Sequence, residues 1–452
     1  MKFKIILVAY LTMVAILPGT VIAATISSEE AAALIERLNK LEQEVITLRS
    51  KLSSVESEQK VKTKQIKTTE VASQTKSPTS IKWKGAPELK GEGGWSAKLR
   101  GRGLFDVAHL SSVPSTIDIP GEGFSNEARR VRFGVQGTMP GGFGYKLEVD
   151  YSGESELTDA YVSYKDGPLK LTVGQHNNFQ GMEEMSSSND TSFIERAAFT
   201  DAFGFQRKLG VSAAYKLGKV LLQGGVFTDN INDLDDGNNT VSLDGRVTYA
   251  TKFDNAQIHL GSSVHVRDLG DEVESVRYRQ RPLVHTVDTR FINTDRISGA
   301  EDELSYGLEA AVIAGRFHAV GETHWAKVNR LAAADPTFFG GSIEAGYFLT
   351  NDKREYKGGA FKGVKVNNPV GNGGMGAWQV NVRFDHLDLV DAGIVGGKQD
   401  AYMASLIWTP INYVRLLLNY GHLSYTDALD IVAGAPDDFS VNVFGLRTQV
   451  SF

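Results

Sequence analysis

Between Val276 and Pro282 the chain reads Val-Arg-Tyr-Arg-Gln-Arg-Pro. Residues two apart share a side of an extended segment, so Arg277, Arg279 and Arg281 present three guanidiniums in a row. Arginine stays charged at physiological pH and carries a planar fork of donors matched to phosphate or carboxylate oxygens, so the row suits a track for a small anion. The same residues in a solvated basic loop, or tied up in cross-strand ion pairs, would serve no such purpose. Whether the row faces open water or the inside of a pore depends on the elements that carry it.

Other chemistry is thinly represented. The nine His are scattered, and neither a Gly-x-Ser-x-Gly nucleophile elbow nor a His-Glu-x-x-His zinc pair occurs, so an enzyme such as a lipase or protease is not indicated. His259 and His265, or His318 and His324, are spaced to share a strand face, which solvated or hydrogen-bonded histidines do as well as metal ligands. The absence of Cys excludes disulfides and thiolate metal sites, and no cofactor motif appears. A net charge of -6 over 452 residues argues against nucleic acid as a partner, since a general backbone binder is basic.

Residues 1–23 open with Lys2 and Lys4, continue as an apolar run from Ile5 to Leu17, and end in small residues at Val21-Ile22-Ala23, the pattern of a secretory signal peptide. Residues 24–60 carry Leu34, Leu38, Leu41, Val45, Leu48, Leu52 and Val55 in steps of three and four, a heptad seam. In that register Arg37 and Glu42, Glu44 and Arg49, and Lys51 and Glu56 take g and following e positions, complementary between parallel chains. With only about four heptads, such a coiled coil needs a second interface to hold chains together. Residues 61–96 are rich in Lys, Ser, Thr and Gln, with too few large apolar groups for a core, and read as a flexible linker.

From residue 97 to 452 the period changes to two. Phe143, Tyr145, Leu147, Val149 and Tyr151 share one side while Lys146, Glu148 and Asp150 share the other. Trp378, Val380, Val382 and Phe384 stand likewise against Gln379, Asn381, Arg383 and Asp385. The segments run about 9 to 12 residues, enough for a tilted strand to cross hydrocarbon, and no second apolar run is long enough for a membrane helix. Aromatics such as Tyr151, Tyr164, Trp325, Trp408 and Tyr420 close the apolar side near segment ends. The expectation is all-β: a transmembrane antiparallel β-barrel of about 16 strands after a short α-helical coiled coil, an even count that leaves no open edge in lipid.

If the apolar side meets lipid, the other side lines a lumen bearing Arg100, Arg102, Arg130, Arg132, Lys146, Arg246, Arg383, Arg415 and Arg447 against Asp106, Glu148, Asp150, Asp159, Glu309, Glu322, Glu344 and Asp385. An acidic protein would then have a basic interior, and a cavity with low-dielectric walls would enrich counter-ions unless those charges pair off. Long connections, about Asn177 to Gln206 and Arg267 to Glu301, alternate with short turns, as outer loops alternate with periplasmic turns. One long segment, Leu349 to Gly376, falls on the short-turn side; either the strand count is off by one or this turn folds inward.

From Ala97 on, the chain resembles the phosphate-selective porins O and P, trimeric outer-membrane channels of Gram-negative bacteria. The resemblance rests on Arg129-Arg130-Val131-Arg132, Asp159-Ala160-Tyr161, Ser186-Ser187-Ser188 leading to Phe193-Ile194-Glu195-Arg196, the Arg277 to Pro282 row with Val287-Asp288-Thr289, and Gly346-Tyr347-Phe348-Leu349-Thr350. It implies a homotrimer in outer-membrane lipid and passive conduction of phosphate, pyrophosphate or polyphosphate; the coiled coil, expected in the periplasm, lies outside this match, though a trimeric zipper would suit a trimeric porin. It implies that the third and fifth outer loops and one periplasmic turn enter the lumen. The Arg277, Arg279, Arg281 row becomes a ladder toward a constriction matching Arg100 or Arg102, Arg130, Asp159, Ser187, Ser188 and Arg196. Where phosphate-selective members place a lysine before the serines, this chain has Glu183 and Glu184, a departure that bears on phosphate more than on anions in general. The competing expectation is a general or weakly cation-selective porin whose coiled coil tethers the envelope.

Overall fold

The structure, a computed structural model, describes residues 28–72, 79–117, 119, 122–233, 240–271, 273–429 and 434–452. The leader expected over 1–23 lies outside them. The chain divides into two units, residues 1–77 and 78–452.

The first unit holds one helix, α1 (Ser28–Ala72). Leu41, Val45, Leu48, Leu52 and Val55 are exposed along it. The helix runs past residue 60 into the stretch expected to be linker, because Lys, Gln and Glu keep their rotamer freedom in a helix even where no apolar stripe needs burying. The other end of that stretch is also ordered. Ser80–Trp83 and Pro87–Lys90 form an antiparallel hairpin, and its second strand pairs Glu88 with Lys98 and Lys90 with Ser96. The expected linker over 61–96 is therefore helix at its start and sheet at its end.

Sixteen strands make the barrel: β1 (Ser96–Ser111), β2 (Gly123–Thr138), β3 (Phe143–Asp150), β4 (Glu156–Asp166), β5 (Leu169–Asn177), β6 (Arg207–Leu217), β7 (Val220–Phe227) and β8 (Val241–Phe253). They continue as β9 (Ala256–Asp268), β10 (Ala300–Ala314), β11 (Phe317–Arg330), β12 (Thr337–Phe348), β13 (Ala377–Asp391), β14 (Ile394–Ile411), β15 (Val414–Thr426) and β16 (Phe439–Ser451). Each pairs antiparallel with the next, and β16 returns to β1 from Asn442 against Ser111 to Ser451 against Arg102. Closure satisfies every ladder, the condition for spanning a bilayer with strands.

The alternation sorts as its period requires. Val380, Val382 and Phe384 are exposed while Gln379, Asn381, Arg383 and Asp385 are buried; Leu418, Tyr420, Phe444 and Leu446 are exposed while Asn419 and Arg447 are buried. The lumen is not polar throughout, however. Near the outer ends of β11–β16, inward positions turn apolar at Val328, Phe338, Leu387, Leu389, Leu423 and Val441, packed with Phe193, Leu283, Val287 and Phe291 from the long outer loops. Those loops, 178–206 and 269–299, fill this side of the mouth. The turn 349–376 folds inward as well: Tyr356 Oη lies 2.7 Å from His259 Nδ1, and the Gly359 carbonyl accepts from Arg246 at 2.6 Å.

Candidate functional site

The third outer loop (178–206) crosses the lumen and is held to the wall by arginines. Arg415 donates to the carbonyls of Asn189 and Thr191, Arg447 to that of Ile194 at 2.6 Å, and Arg383 to that of Glu195 at 3.2 Å. Arg383 also lies over the Phe193 ring, 4.5 Å from its centroid. From the inward periplasmic turn, Arg354 donates to Ser192 Oγ at 2.9 Å and to the Asp190 carbonyl. Gly181 starts the loop at φ +106°, where a Cβ would come within 2.1 Å of Glu322 Oε1; only glycine lets the backbone pass there. Several arginines expected to line the lumen therefore secure the loop instead.

The row in the fifth outer loop (269–299) is extended, since Arg279–Gln280 pairs with Ile292–Asn293 and Ser275–Val276 with Ile297–Ser298. Val276, Tyr278 and Gln280 turn inward and are buried, Tyr278 edge-on to Phe203 at 5.7 Å and to Phe338 at 5.3 Å, with its hydroxyl donating to Glu303. That anchoring leaves Arg277 and Arg279 exposed on the other side. Arg281 is half-buried and bonds Asp288 at 2.7 Å. Arg290 joins the group 4.0 Å from Asp201; burial, with Arg281 and Arg279 opposing Asp201, brings its guanidinium down to about 10. Burial and the neighbouring Arg277 lower Arg279 as well.

Below the row lies a cavity of about 280 Å³ lined by Arg129, Arg130, Arg196, Arg281, His285 and Glu195 among others. A bulge opposite Leu104 and Phe105 puts both Arg129 and Arg130 on the inner side. Arg129 is engaged by Glu195 at 3.0 Å. Burial alone would raise the Glu195 carboxyl, but Arg129 and Arg447 beside it hold it well below the usual carboxylate range. Arg196 donates to the carbonyls of Glu183 and Ser186 at 3.0 and 2.7 Å and pairs with Glu184 at 3.3 Å. Among the described residues Arg130 has no carboxylate within ion-pair distance, and its Nε has no acceptor.

A second group sits deeper, around two carboxylates. Glu148 lies 3.3 Å from Arg102, 3.6 Å from Arg132 and 3.7 Å from Lys146; Asp159 lies 2.7 Å from Lys146 and 3.2 Å from Arg207. Arg132 also bonds Asp150 at 2.7 Å, and Arg102 reaches Ser188 Oγ at 3.0 Å. Arg100 donates to Gln136 at 2.9 Å, away from this group, and Ser187 Oγ accepts from the backbone of Asn189 at 3.3 Å. So Arg102, Arg132, Asp159 and Ser188 come together, Arg130, Arg196 and Arg281 share the cavity, and Arg100 and Ser187 join neither. Arg129, Arg207, Arg290 and Glu195 were missed as site residues. The bulge that turns Arg129 inward carries no signature in the alternation, and the other three sit at or beyond strand ends.

The chain matches the family model described as phosphate-selective porin O and P over residues 99–452. It is 45% identical over 386 residues to an uncharacterized protein of Caulobacter vibrioides, covering 83% of this chain and 78% of that one. Among solved structures it is similar to the outer membrane channel DcaP of Acinetobacter baumannii, with a TM-score of 0.50 and 14% identity over 80% of this chain and 99% of that one. It is also similar to OmpT, an outer membrane protein of Vibrio cholerae, with a TM-score of 0.51 and 12% identity over 80% of this chain and 99% of that one. A closed sheet with outward-facing aliphatics, loops folded into a charged lumen and a family match over residues 99–452 agree: this outer-membrane porin channel belongs to the phosphate-selective porin O and P family.

Proposed function

We propose that the channel passes small anions of the phosphate class, including condensed phosphates, by passive diffusion. The ion meets Arg277 and Arg279 at the mouth, is handed to Arg281 and Arg290, and enters the cavity where Arg130 waits. The observation that carries this is Arg130 itself: among the described residues it has no carboxylate within ion-pair distance, and it faces a cavity of about 280 Å³ where, with Arg129, Arg196 and Arg281, four arginines outnumber Glu184, Glu195 and Asp201. Charge-assisted hydrogen bonds replace part of the ion's hydration there, and sharing the ion between successive arginines keeps each contact weak enough for release. The deeper group, in which Arg102, Arg132, Lys146 and Arg207 are paired with Glu148, Asp150 and Asp159 beside Ser188, passes the ion on without holding it.

A general, weakly cation-selective pore is the second reading, favoured by the pairing of most wall cations with carboxylates and by Glu183 and Glu184 beside the cavity. Single-channel current in chloride separates the two. Block by millimolar phosphate and a reversal potential on the anion side support the proposal; no block and a cation-side potential defeat it. We also propose that α1 assembles copies of the chain, consistent with a trimer, through its complementary g and e charges.

A further inference from the structure

We propose that the cavity beside Arg130 is built for a phosphate monoester carrying a short hydroxylated carbon chain, in preference to the inorganic ion. This names a substrate class for the site described above and rests on the anion reading of it.

The lining is of two kinds. From β2 and the third loop come the guanidiniums of Arg129, Arg130 and Arg196. From the end of the third loop and from the fifth come Phe205, Leu283 and Val284, all buried. An inorganic oxyanion is polar on every side and has no use for an apolar neighbour, whereas the carbon atoms of an ester gain by leaving water against one. At about 280 Å³ the space equals roughly nine waters of ~30 Å³, more than an ion of five heavy atoms fills and close to the lower end of the range for small organic ligands.

Two buried groups in the lining can only accept. Gln280 is 3% exposed, and among the described residues its Oε1 receives no hydrogen bond. The Thr200 hydroxyl donates to the Ala197 carbonyl at 2.8 Å, so lone pairs are what it has left for a ligand. Monohydrogen phosphate has one hydroxyl and cannot serve both; a polyol ester carries two, set away from the phosphorus. A site with buried acceptors favours the ligand that brings the donors.

The change from cationic to apolar lining falls within two residues of Pro282. Leu283 N–H donates to the Arg281 carbonyl at 2.7 Å, with Leu283 at φ +54°, a left-handed conformation that only close packing holds in a residue with a side chain.

The test is block of chloride current through the purified full-length protein in planar bilayers, at a pH where every phosphate added is a dianion. The probes are inorganic phosphate, methyl phosphate, glycerol 3-phosphate and glycerol. The glycerol ester is expected to block about tenfold more tightly than inorganic phosphate, with methyl phosphate between them and no block by glycerol. Gln280→Leu, similar in size, should bring the glycerol ester down to the level of the methyl ester. Equal block by inorganic phosphate and the glycerol ester overturns the inference and leaves the anion reading standing. No block by any of the three phosphates overturns that reading as well. A preference kept in full by Gln280→Leu overturns the role of this lining in holding the hydroxyls; if that variant does not assemble, the wild-type ranking decides alone.

Discussion

Arg447 grips Asp106 with two arms, Nε 2.7 Å from one carboxylate oxygen and Nη2 2.6 Å from the other, across the seam where the last strand meets the first. Both side chains are nearly free of solvent contact, and the remaining nitrogen, Nη1, holds the third loop at the Ile194 carbonyl.

Arg447→Met leaves Asp106 buried and unpaired, which costs roughly 3–5 kcal/mol. The heat-modified form on SDS gels should appear at a lower temperature than for wild type. A double variant Arg447→Met, Asp106→Leu should recover most of the loss, and an unchanged transition in the single variant would show that the pair contributes little.

Arg130→Gln keeps the shape of the cavity and removes its uncompensated cation. Hydrogen bonds to charged groups contribute ~1.5–3 kcal/mol, so phosphate should block chloride current roughly 10- to 150-fold less tightly. Replacing Arg277, Arg279 and Arg281 together by Ala should lower anion conductance most at low ionic strength, where screening is weakest. Unchanged selectivity in that triple variant would leave the mouth row without a role.

Glu184 pairs with Arg196 at 3.3 Å beside the same cavity. Glu184→Gln frees part of that charge, so the reversal potential in a salt gradient should move further to the anion side and phosphate block should tighten. A shift toward cations would contradict the placement.

The Glu195 carboxyl is depressed in the folded protein, so its contribution to stability is complete above the ordinary carboxylate pKa and is lost as the pH falls toward the folded value. Retention of the third loop should be flat between pH 7 and 5 and weaken progressively below pH ~4. Protease cleavage within 178–206, followed from pH 7 down to 3 with an acid-active protease, measures it; Glu195→Gln should be weaker at neutral pH and much less sensitive to acid.

The barrel was legible in the chain because a strand with one wet and one oily face must alternate, and sixteen such segments need no tertiary information to be counted. The inward turn 349–376 announced itself only as a length on the wrong side. What alternation hid was the apolar mouth: Leu387 and Leu389 continue the inward side begun by Arg383 and Asp385, yet are apolar because loops cover them, while Asp388 between them faces outward. The lumen charges were assigned the correct face, but their partners were not readable. Arg383, Arg415 and Arg447 bond carbonyls of a loop far away in sequence, and no spacing distinguishes such an arginine from one left free for an ion. The linker failed for a different reason: a lack of apolar residues rules out a core, yet forbids neither a long helix nor a hairpin that borrows its partner from the barrel wall.

One guanidinium at the junction of β16 and β1 ties the wall and its filling to the same atom group. Lifting the loop out of the lumen would strand a buried donor at that junction without its carbonyl, so the closed wall and the segment inside it stabilise each other.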